Sequence, residues 1–374
     1  MRSDYLVFGK PDIHDEDIQA VTNVLRSGWI GTGHVAREFE QQFARHVGVE
    51  HAMAVGSCTA ALHLAMTCFD LGENEDVIVP ALTFVSTANA VVHAGHHPVF
   101  CDVDRHTMCA TRDTITAAAS KEDVCVEAAI VVHYAGRPCD DIADIAAVAR
   151  KNDWRLIEDC AHAIESPVGH YGDAACYSFY ATKNITSAEG GMVVTRDPNT
   201  ADCVRRLALH GLSADAWKRF SDDGYKHYDM EQPGFKYNMT DMQAALGLSQ
   251  FQRVEASLWR RELIWQQYDE AFADLDLERP APSGDMRHAR HLYTILVEDR
   301  DIVMHDLHRL NIGTGVHYRP VHLHDYYRRR YGYEPGMLPN AEWIGDHTLS
   351  LPLSPAMSGQ DVQDVIDAVR MVLA

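Results

Sequence analysis

The stretch CYSFYATKNITSAEGGMVVT, Cys176–Thr195, decides both the fold and the chemistry that we expect of this chain. An apolar, β-rich run over Ala174–Tyr180 predicts a strand that delivers Lys183 to its end, and Glu189–Gly191 leads into a second apolar run, Met192–Thr195. Apolar, small and hydroxyl neighbours give a lysine low-dielectric surroundings, which favour the neutral amine. A neutral amine can attack a carbonyl and form a Schiff base. Taken alone, this stretch equally fits a surface lysine in a turn.

Outward from this stretch, short apolar runs alternate with helical patterns. Predicted strands lie at Ala52–Val55, Val77–Pro80, Pro98–Cys101, Ala128–His133 and Trp154–Glu158. Predicted helices lie between them at Thr83–Ala94, Asp113–Ala119 and Ile142–Lys151, and a helix also follows Ala60. This βαβ alternation is typical of a doubly wound, mostly parallel α/β sheet. Ligands of such folds bind where the strands end at their carboxyl side.

Two of these strand ends carry candidate binding groups. Gly56–Ala60 is a turn of small residues between a strand and a helix, where free N–H groups and the helix dipole can bind a phosphate. An ordinary helix start capped by Ser57 or Thr59 explains the same residues. Asp159 closes another strand, and His162 follows three residues later, so both can face one pocket. A hydrogen-bonded core aspartate is the alternative for Asp159.

The later part of the chain predicts a second unit. Residues 211–233 are polar and read as a long loop, and residues 234–251, capped by Asn238 or Thr240, open a long helix that continues to Leu275. We therefore expect a large domain over 1–250 and a small α+β domain over 251–374. Near the N-terminus, Trp29 lies in the glycine-punctuated segment 27–33, which is either a pocket rim or a plain connector.

Composition excludes several classes of function. The 374 residues include 54 acidic and 33 basic side chains, a net charge of −21, which argues against nucleic acid as a partner. Surface charge is screened beyond about 8 Å, so a local phosphate site remains possible. No apolar run reaches the roughly 18 residues of a membrane span, and the nine cysteines form no C-x-x-C pair. We expect a cytoplasmic protein with reduced, buried thiols and no membrane insertion.

Other catalytic motifs are missing. The histidines of residues 93–97 and 317–324 lack the helical spacing and paired cysteines of zinc sites, so we expect no metal. No G-x-S-x-G occurs, and no G-x-G-x-x-G follows a strand. Triad hydrolase and nicotinamide chemistry are therefore disfavoured.

Four segments occurring in order, GSCTAALHLA, IEDCAHA, SFYATKN with EGG, and GFKYNMTDMQAALGLSQ, resemble the DegT/DnrJ/StrS family of pyridoxal-phosphate-dependent nucleotide-sugar aminotransferases. The resemblance covers essentially the whole chain. It implies a fold-type I transferase of the aspartate-aminotransferase type and a homodimer whose active sites are shared between subunits. It also implies pyridoxal 5′-phosphate as the cofactor.

The resemblance also implies residue roles. Lys183 would carry the cofactor through its amine and move a proton, Asp159 would keep the pyridine nitrogen protonated, and His162 would orient Asp159 or bind the ring oxygen. Phe84 would stack on the ring. The phosphate would be bound by Thr59, Ala60 and Ser178, and by Lys236 or Asn238 of the other subunit; family members often read G-Y-N-Y-R at this point, which leaves these two open.

The implied reaction moves the amino group of L-glutamate to the 4-keto carbon of a nucleotide-linked sugar. Residues 83–89 and 312–327 look most like family members that act on a UDP-linked 4-keto pentose to give UDP-4-amino-4-deoxy-L-arabinose, and a UDP-, dTDP- or GDP-linked 4-keto-6-deoxyhexose is the alternative. The expected sugar contacts are Trp29, Tyr180, His317, Tyr318 and Arg319, although Tyr180, often histidine in relatives, could simply pack. A non-catalytic regulator of the same fold is disfavoured because Lys183 and Asp159 are both present.

Overall fold

The computed structural model describes residues 2–212 and 229–373. Most of the loop predicted over 211–233 therefore lies outside the described residues. Within them the chain forms one seven-stranded sheet, a separate two-stranded sheet, and helices that pack around both.

The seven-stranded sheet has the order β1-β7-β6-β5-β4-β2-β3, and the small sheet pairs β8 with β9. The strand bounds are β1 His51–Val55, β2 Asp76–Pro80, β3 His97–Cys101, β4 Val126–Val132, β5 Arg155–Asp159, β6 Ala174–Ser178, β7 Gly191–Thr195, β8 Tyr293–Leu296 and β9 Thr348–Leu351. Strands β2 to β6 pair in parallel, whereas β7 runs antiparallel to both of its neighbours, β1 and β6. The predicted α/β class with a mostly parallel sheet is confirmed.

The helices of the described residues are α1 Asp15–Ser27, α2 His34–Val47, α3 Cys58–Cys68, α4 Val85–His93, α5 Arg112–Ala119, α6 Ile142–Lys151, α7 Pro198–Ala208, α8 Asp241–Phe251, α9 Val254–Ala271, α10 Arg300–Arg309, α11 Asp325–Tyr331, α12 Pro339–His347 and α13 Gly359–Leu373. Helix α3 is buried on nearly every side because its Ala, Leu and Met residues favour helix and present no charge. Among these helices, none combines the length and the apolarity that crossing a bilayer requires.

The central strands are apolar on both faces, which is why they sit inside a parallel sheet covered by helices. In β4, six of seven residues are buried, and β7 is buried throughout. The parallel strands end at one edge of the sheet, where Asp102 follows β3, His133 follows β4 and Asp159 closes β5. That edge positions the candidate site.

The long helix predicted from residue 234 to Leu275 is wrong. Helix α8 begins after Thr240, whose hydroxyl accepts from the Gln243 N–H and caps it, and it ends at Phe251. A two-residue break precedes α9. The ion pair between Arg253 in this break and the buried Asp17 (2.6 Å) holds the second helix start against α1.

Three apolar cores follow the sheets. Two of them lie along the large sheet, and α9, α10, α13, β8 and β9 form the third. Part of the C-terminal segment packs into the first core through Val321, Tyr327 and Ile344. The boundary predicted at residues 250–251 stays a prediction.

The expectation that every cysteine is a buried free thiol is wrong. Cys68 of α3 and Cys203 of α7 form a disulfide across 135 residues of sequence, with Cα atoms 5.8 Å apart, and Cys125 is exposed. The Cα separation lies in the range of bonded cysteines. The other six thiols are buried, as predicted.

Candidate active site

A cavity of about 420 Å³ opens at the carboxyl edge of the parallel strands. It brings together most of the residues singled out in the sequence. Its lining residues are Ser57, Cys58, Thr59, Thr83, Phe84, Ser86, Val132, Asp159, Ala161, His162, Ser178, Tyr180, Thr182, Lys183, Glu189, Gly190, His317 and Tyr318. Segments that are far apart in sequence, including the start of α3, the end of β5 and the β6–β7 connection, therefore form one pocket.

Lys183 lies in the connection between β6 and β7. Backbone bonds from Phe179 N–H to Gly190 O and from Ser187 N–H to Phe179 O, both 2.9 Å, hold the two ends of this connection together. Burial lowers the pKa of Lys183 to about 8, and the nearby Asp159 carboxylate limits the shift. The amine is consequently a nucleophile near neutral pH.

Asp159 ends β5 as a buried carboxylate. Its oxygens accept from the Thr87 hydroxyl (2.9 Å) and from the Ala161 N–H (3.1 Å). Burial raises the pKa of Asp159, and these hydrogen bonds and the charge of Lys183 oppose that rise. No ion pair joins Asp159 to a cation in the parts of the chain that the structure describes. A buried carboxylate in this state favours a cationic ligand.

His162 makes no hydrogen bond to Asp159 in the structure, and its predicted role stays a prediction. The Ala135 N–H donates to its Nδ1 (3.2 Å), and its Nε2 lies 3.2 Å from the Tyr318 hydroxyl. The reason is geometric, since Asp159 is already bound by Thr87 and by the backbone two residues on. Burial lowers the pKa of His162 well below its ordinary value, so the ring is neutral.

The start of α3 forms one wall of the cavity. Ser57 caps the helix by accepting from the Ala60 N–H (3.1 Å), and Thr59 and Ser178 face the cavity beside it. Ala60 is buried and does not line the cavity. Phe84 caps α4 and is 56% exposed at the rim, near Tyr318.

His317 and Tyr318 also lie in the cavity. The His317 ring bonds to the Ser350 hydroxyl (2.9 Å), and burial lowers its pKa to about 4. Burial raises the pKa of Tyr318 well above its ordinary value, so its hydroxyl keeps its proton. Tyr180 is 47% exposed at the opening.

Besides Ala60, four predicted site residues lie outside the cavity of this chain. Trp29 donates its indole N–H to Thr32 O (3.1 Å), and Arg319 donates to Leu323 O (3.1 Å). Lys236 donates to Asn238 (2.5 Å), whose amide donates to the Thr32 hydroxyl (2.6 Å). The predicted contribution of Lys236 or Asn238 from another subunit stays a prediction.

Thr83, Thr87 and Glu189 belong to the site but were not predicted from the sequence as site residues. Thr83 and Thr87 are four residues apart and share a hydrogen bond of 2.8 Å, and Thr87 passes it on to Asp159. The sequence feature that could have predicted them is this pair of hydroxyl residues, four apart and close after a strand end. Glu189 carried no comparable signal, because acidic residues are common in turns.

One group of side chains in the described residues has the spacing of metal ligands, namely His133, Glu158 and Cys160. Glu158 accepts from His133 Nε2 (3.1 Å) and from the backbone N–H groups of Gly169, Tyr171 and Gly172. Its lone pairs are already used, so the group is a hydrogen-bonded core pair. None of the histidines at 93–97 or 317–324 belongs to it.

The donor set of the cavity fits pyridoxal phosphate. A nucleophilic lysine can bind its aldehyde, a buried carboxylate can bind its ring nitrogen, and a helix start with hydroxyl groups can bind its phosphate. An aromatic ring at the rim can cover its face. Lys183, Asp159, Ser57–Thr59 and Phe84 supply these four features.

Comparison with known proteins agrees with this class. The chain belongs to the DegT/DnrJ/EryC1/StrS aminotransferase family, which matches residues 11–370. It is 43% identical to the spore coat polysaccharide biosynthesis protein SpsC of Bacillus subtilis, over 100% of this chain and 98% of that protein. The resemblance stated from the sequence is thereby confirmed at the level of the family.

Solved structures show the same fold. The aminotransferase TlmJ from Streptoalloteichus hindustanus superimposes with a TM-score of 0.90 at 32% identity and covers 99% of both chains. The putative sugar aminotransferase Spr1654 from Streptococcus pneumoniae, in its PMP form, gives 0.89 at 30% identity, covering 98% of this chain and 97% of the other. The protein is a pyridoxal-phosphate-dependent sugar aminotransferase with the fold predicted from its sequence.

Proposed function

We propose that this enzyme transfers the amino group of L-glutamate to the 4-keto carbon of a nucleotide-linked sugar, with Lys183 and Asp159 as its central residues. The observation that carries the proposal is a single cavity that both Lys183 and Asp159 line. In this cavity burial lowers the pKa of Lys183 to about 8, and the Asp159 carboxylate is buried as well. When bound, pyridoxal phosphate supplies an electron sink for the carbon that loses its proton. The protein supplies binding, orientation and proton transfer.

Lys183 first binds the cofactor and then acts as the base and acid. Once the amino donor has displaced it, its neutral amine would take the proton from the α-carbon of the donor and deliver it to the cofactor's aldehyde carbon within the same half-reaction. In the second half-reaction the same amine would move a proton in the opposite direction, to the sugar carbon. Positioned proton transfer of this kind is worth roughly 10²–10⁴-fold in rate. Burial lowers the pKa of the amine to about 8, so that near this pH a large share of it is neutral and able to accept that proton.

Asp159 binds the cofactor at the opposite end. Its carboxylate would accept from the ring N–H, and the positive charge of the protonated ring would give the buried carboxylate a charge partner. Thr87 and the Ala161 N–H hold the carboxylate in place. Phosphate binding falls to Thr59 and Ser178, together with N–H groups at the start of α3.

The proposed sugar is a UDP-linked 4-keto pentose, and the alternative is a 4-keto-6-deoxyhexose on UDP, dTDP or GDP. These sugars differ at C5 by a methyl group, which a pocket discriminates by only about 1–3 kcal/mol. His317, Tyr318 and Tyr180 line the cavity where the sugar would enter. A polysaccharide precursor is consistent with the name of SpsC, which shares 43% of its residues with this chain.

The proposed assembly is a homodimer with shared active sites. Asn238 and Tyr237 lie against the strand that leads into α3, since Gly56 N–H donates to Tyr237 O (2.6 Å). Trp29 and Ile30, 50% and 47% exposed, form an apolar surface on the segment that Asn238 contacts through Thr32. These residues would reach the cavity of the other subunit.

Covalent trapping tests the role of Lys183. The protein loaded with pyridoxal phosphate is reduced with borohydride, digested and mapped by mass spectrometry, and we expect one adduct, on Lys183. The exposed Lys151 is the internal control. An adduct on another lysine, or none, would contradict the proposal.

A panel of substrates tests the proposed amino donor and the proposed sugar class. The loaded enzyme is incubated with glutamate, which should convert its yellow colour to that of the amine form, and then with UDP-, dTDP- and GDP-linked 4-keto sugars. The sugar that restores the yellow colour fastest is the substrate. If glutamate bleaches the enzyme and no 4-keto sugar restores the colour, the amino donor stands and the sugar class fails.

A further inference from the structure

A buried chain of hydrogen bonds begins at Asn184, the residue after Lys183. Its amide nitrogen donates to Glu165 Oε2 (2.8 Å) and to Ala289 O (2.7 Å), and its oxygen lies 2.9 Å from His291 Nδ1. Asn184, Glu165 and His291 are all buried. All three polar contacts of the Asn184 side chain are thus fixed by two separate segments of the chain, one with Glu165 and the other with Ala289 and His291.

These contacts determine the proton of His291. The Asn184 oxygen can only accept, because the amide hydrogens are on the nitrogen, so His291 Nδ1 must carry the hydrogen. Burial lowers the pKa of His291 well below its ordinary value, which leaves its Nε2 unprotonated. The contact with Glu165 holds in either of its protonation states, because one carboxyl oxygen always accepts.

The ring of His291 packs against the ring of His162, with centroids 4.3 Å apart and planes inclined by 34°. The Ala135 N–H occupies His162 Nδ1, so the neutral ring carries its hydrogen on Nε2. That hydrogen points at the Tyr318 oxygen, 3.2 Å away. The hydroxyl proton of Tyr318 is then left to donate into the cavity that this side chain lines.

We propose that Asn184 and Glu165 are positioning residues, which hold His291 against His162 so that Tyr318 presents a hydrogen-bond donor to the ligand in the cavity. The proposal rests on the function proposed above, because it needs a ligand beside Lys183. The acceptor is an oxygen atom of the cofactor ring or of the sugar, and these two acceptors share one chemistry. Neither acceptor is needed to form the network itself.

Nitrogen-15 NMR of histidine-labelled, cofactor-free protein tests the network without any activity. Protonated and unprotonated ring nitrogens have well-separated shifts, and we expect a hydrogen on Nδ1 of His291 and on Nε2 of His162. In Asn184→Ala the His291 hydrogen should no longer be confined to Nδ1. The exposed Asn152, which bonds only within its own helix end, gives the control variant Asn152→Ala. A His162 hydrogen on Nδ1 in the unmodified protein would overturn the proposal.

A double-mutant cycle tests whether the network acts through Tyr318. We expect Asn184→Ala to lower kcat by up to about 100-fold, as misplacement of a contacting group does. In the Tyr318→Phe background the same change should cost little, because the hydroxyl that it positions is gone. Equal losses in both backgrounds would mean that Asn184 serves the fold alone, and would refute the proposal.

Two further variants guard against misfolding. If Asn184→Ala is not folded by circular dichroism, Glu165→Leu removes the acceptor of Asn184 and goes through the same cycle. Glu165→Gln keeps an acceptor oxygen, so it should keep most of kcat, and a loss equal to that of Glu165→Leu would contradict the proposal. If the network passes the NMR test, and passes the mutant cycle with the single-turnover rate of the glutamate half-reaction in place of kcat, while no sugar substrate is found, the sugar class proposed above fails and this inference stands.

Discussion

At the scale of single residues, burial drives the two central groups in the same chemical direction. It lowers the pKa of Lys183 and raises the pKa of Asp159, so both move toward their neutral forms. Each charge partly offsets the shift of the other, since Lys183 favours the carboxylate and Asp159 favours the ammonium. A bound cofactor can therefore replace the electrostatic interaction between these two side chains.

The pKa of Lys183 gives a pH prediction. An amine attacks only when unprotonated, so acylation of Lys183 in cofactor-free protein should rise through pH of about 8 and then level off. The free lysine derivative N-acetyl-lysine amide, with an ordinary pKa of about 10.4, is the control and should keep rising. Quantitative peptide mapping after brief acetic anhydride pulses measures both, and identical profiles would contradict the prediction.

The same shift affects stability with a definite sign. The folded pKa of about 8 lies below the unfolded value of 10.5, so the unfolded chain binds more protons between these values. The free energy of unfolding contributed by Lys183 therefore rises with pH across that window and is lowest below it. In Lys183→Met this contribution should vanish, which urea titrations from pH 7 to 10 can measure.

The carboxylate of Asp159 gives a second prediction. Asp159→Asn keeps a side chain that can bond Thr87 and Ala161 but loses the charge, so the protein should retain cofactor and remove the α-proton of glutamate at least about 100-fold more slowly. Thr87→Val is the matched variant. It removes one hydrogen bond to a charged group, worth about 1.5–3 kcal/mol, and should slow the reaction less.

Stopped-flow absorbance in single turnovers with glutamate measures both variants. An unchanged rate in Asp159→Asn would remove this residue from the mechanism.

The sequence predicts the central residues better than their partners. Asp159 ends an apolar strand and Lys183 follows one, and this local pattern is visible without a structure. Thr87, which binds Asp159, lies 72 residues away, and the Tyr318 contact of His162 spans 156 residues. Such pairings depend on how helices pack on the sheet, which no local pattern encodes.

At the scale of secondary structure, α3 and β7 touch closely where the proposed phosphate site lies. A Cβ atom on Gly191 would lie 2.5 Å from Ser57 C and 2.6 Å from Cys58 N, both backbone atoms. The absence of a side chain at Gly191 thus lets the helix start reach the cavity. The hydrogen bond from Ala60 N–H to Ser57 then fixes its first turn.

Gly191→Ala should displace this helix start. Overpacking costs about 1–3 kcal/mol, so we expect a lower melting temperature and weaker binding of pyridoxal phosphate, measured by scanning fluorimetry and by absorbance titration. Gly284→Ala is the control, because no atom lies within 4 Å of the position of its added Cβ. Wild-type cofactor affinity in Gly191→Ala would contradict this account of the contact.

The elements themselves were predictable where apolar runs are long and bounded by turns. The break between α8 and α9 was not, because residues 251–254 contain neither Gly nor Pro and the Arg253–Asp17 ion pair that stabilises it is long-range. The Cys68–Cys203 pair was missed for the same reason, since 135 residues separate the two cysteines.

At the scale of the whole molecule, the proposed dimer leads to a complementation prediction. Lys183→Ala subunits and Lys236→Ala/Asn238→Ala subunits should each be inactive alone. If each site combines Lys183 of one subunit with residues 236–238 of the other, a hybrid dimer has one intact site, and refolding the two variants together should restore activity. Each variant refolded alone is the control, and no gain on mixing would show that the sites are not shared in this way.

The place of β7 in the sheet has a consequence for biosynthesis. Strands β6 and β7 are joined by residues 179–190 and pair with each other, so the segment that carries Lys183 can form early from neighbouring parts of the chain. Strand β1 pairs only with β7 in this sheet, although 135 residues separate the end of β1 at Val55 from the start of β7 at Gly191. In the nascent chain, β1 therefore has no strand to pair with, and α3 cannot pack against β7, until residue 195 has left the ribosome. Capture of the vitamin-derived group thus has to await completion of the sheet.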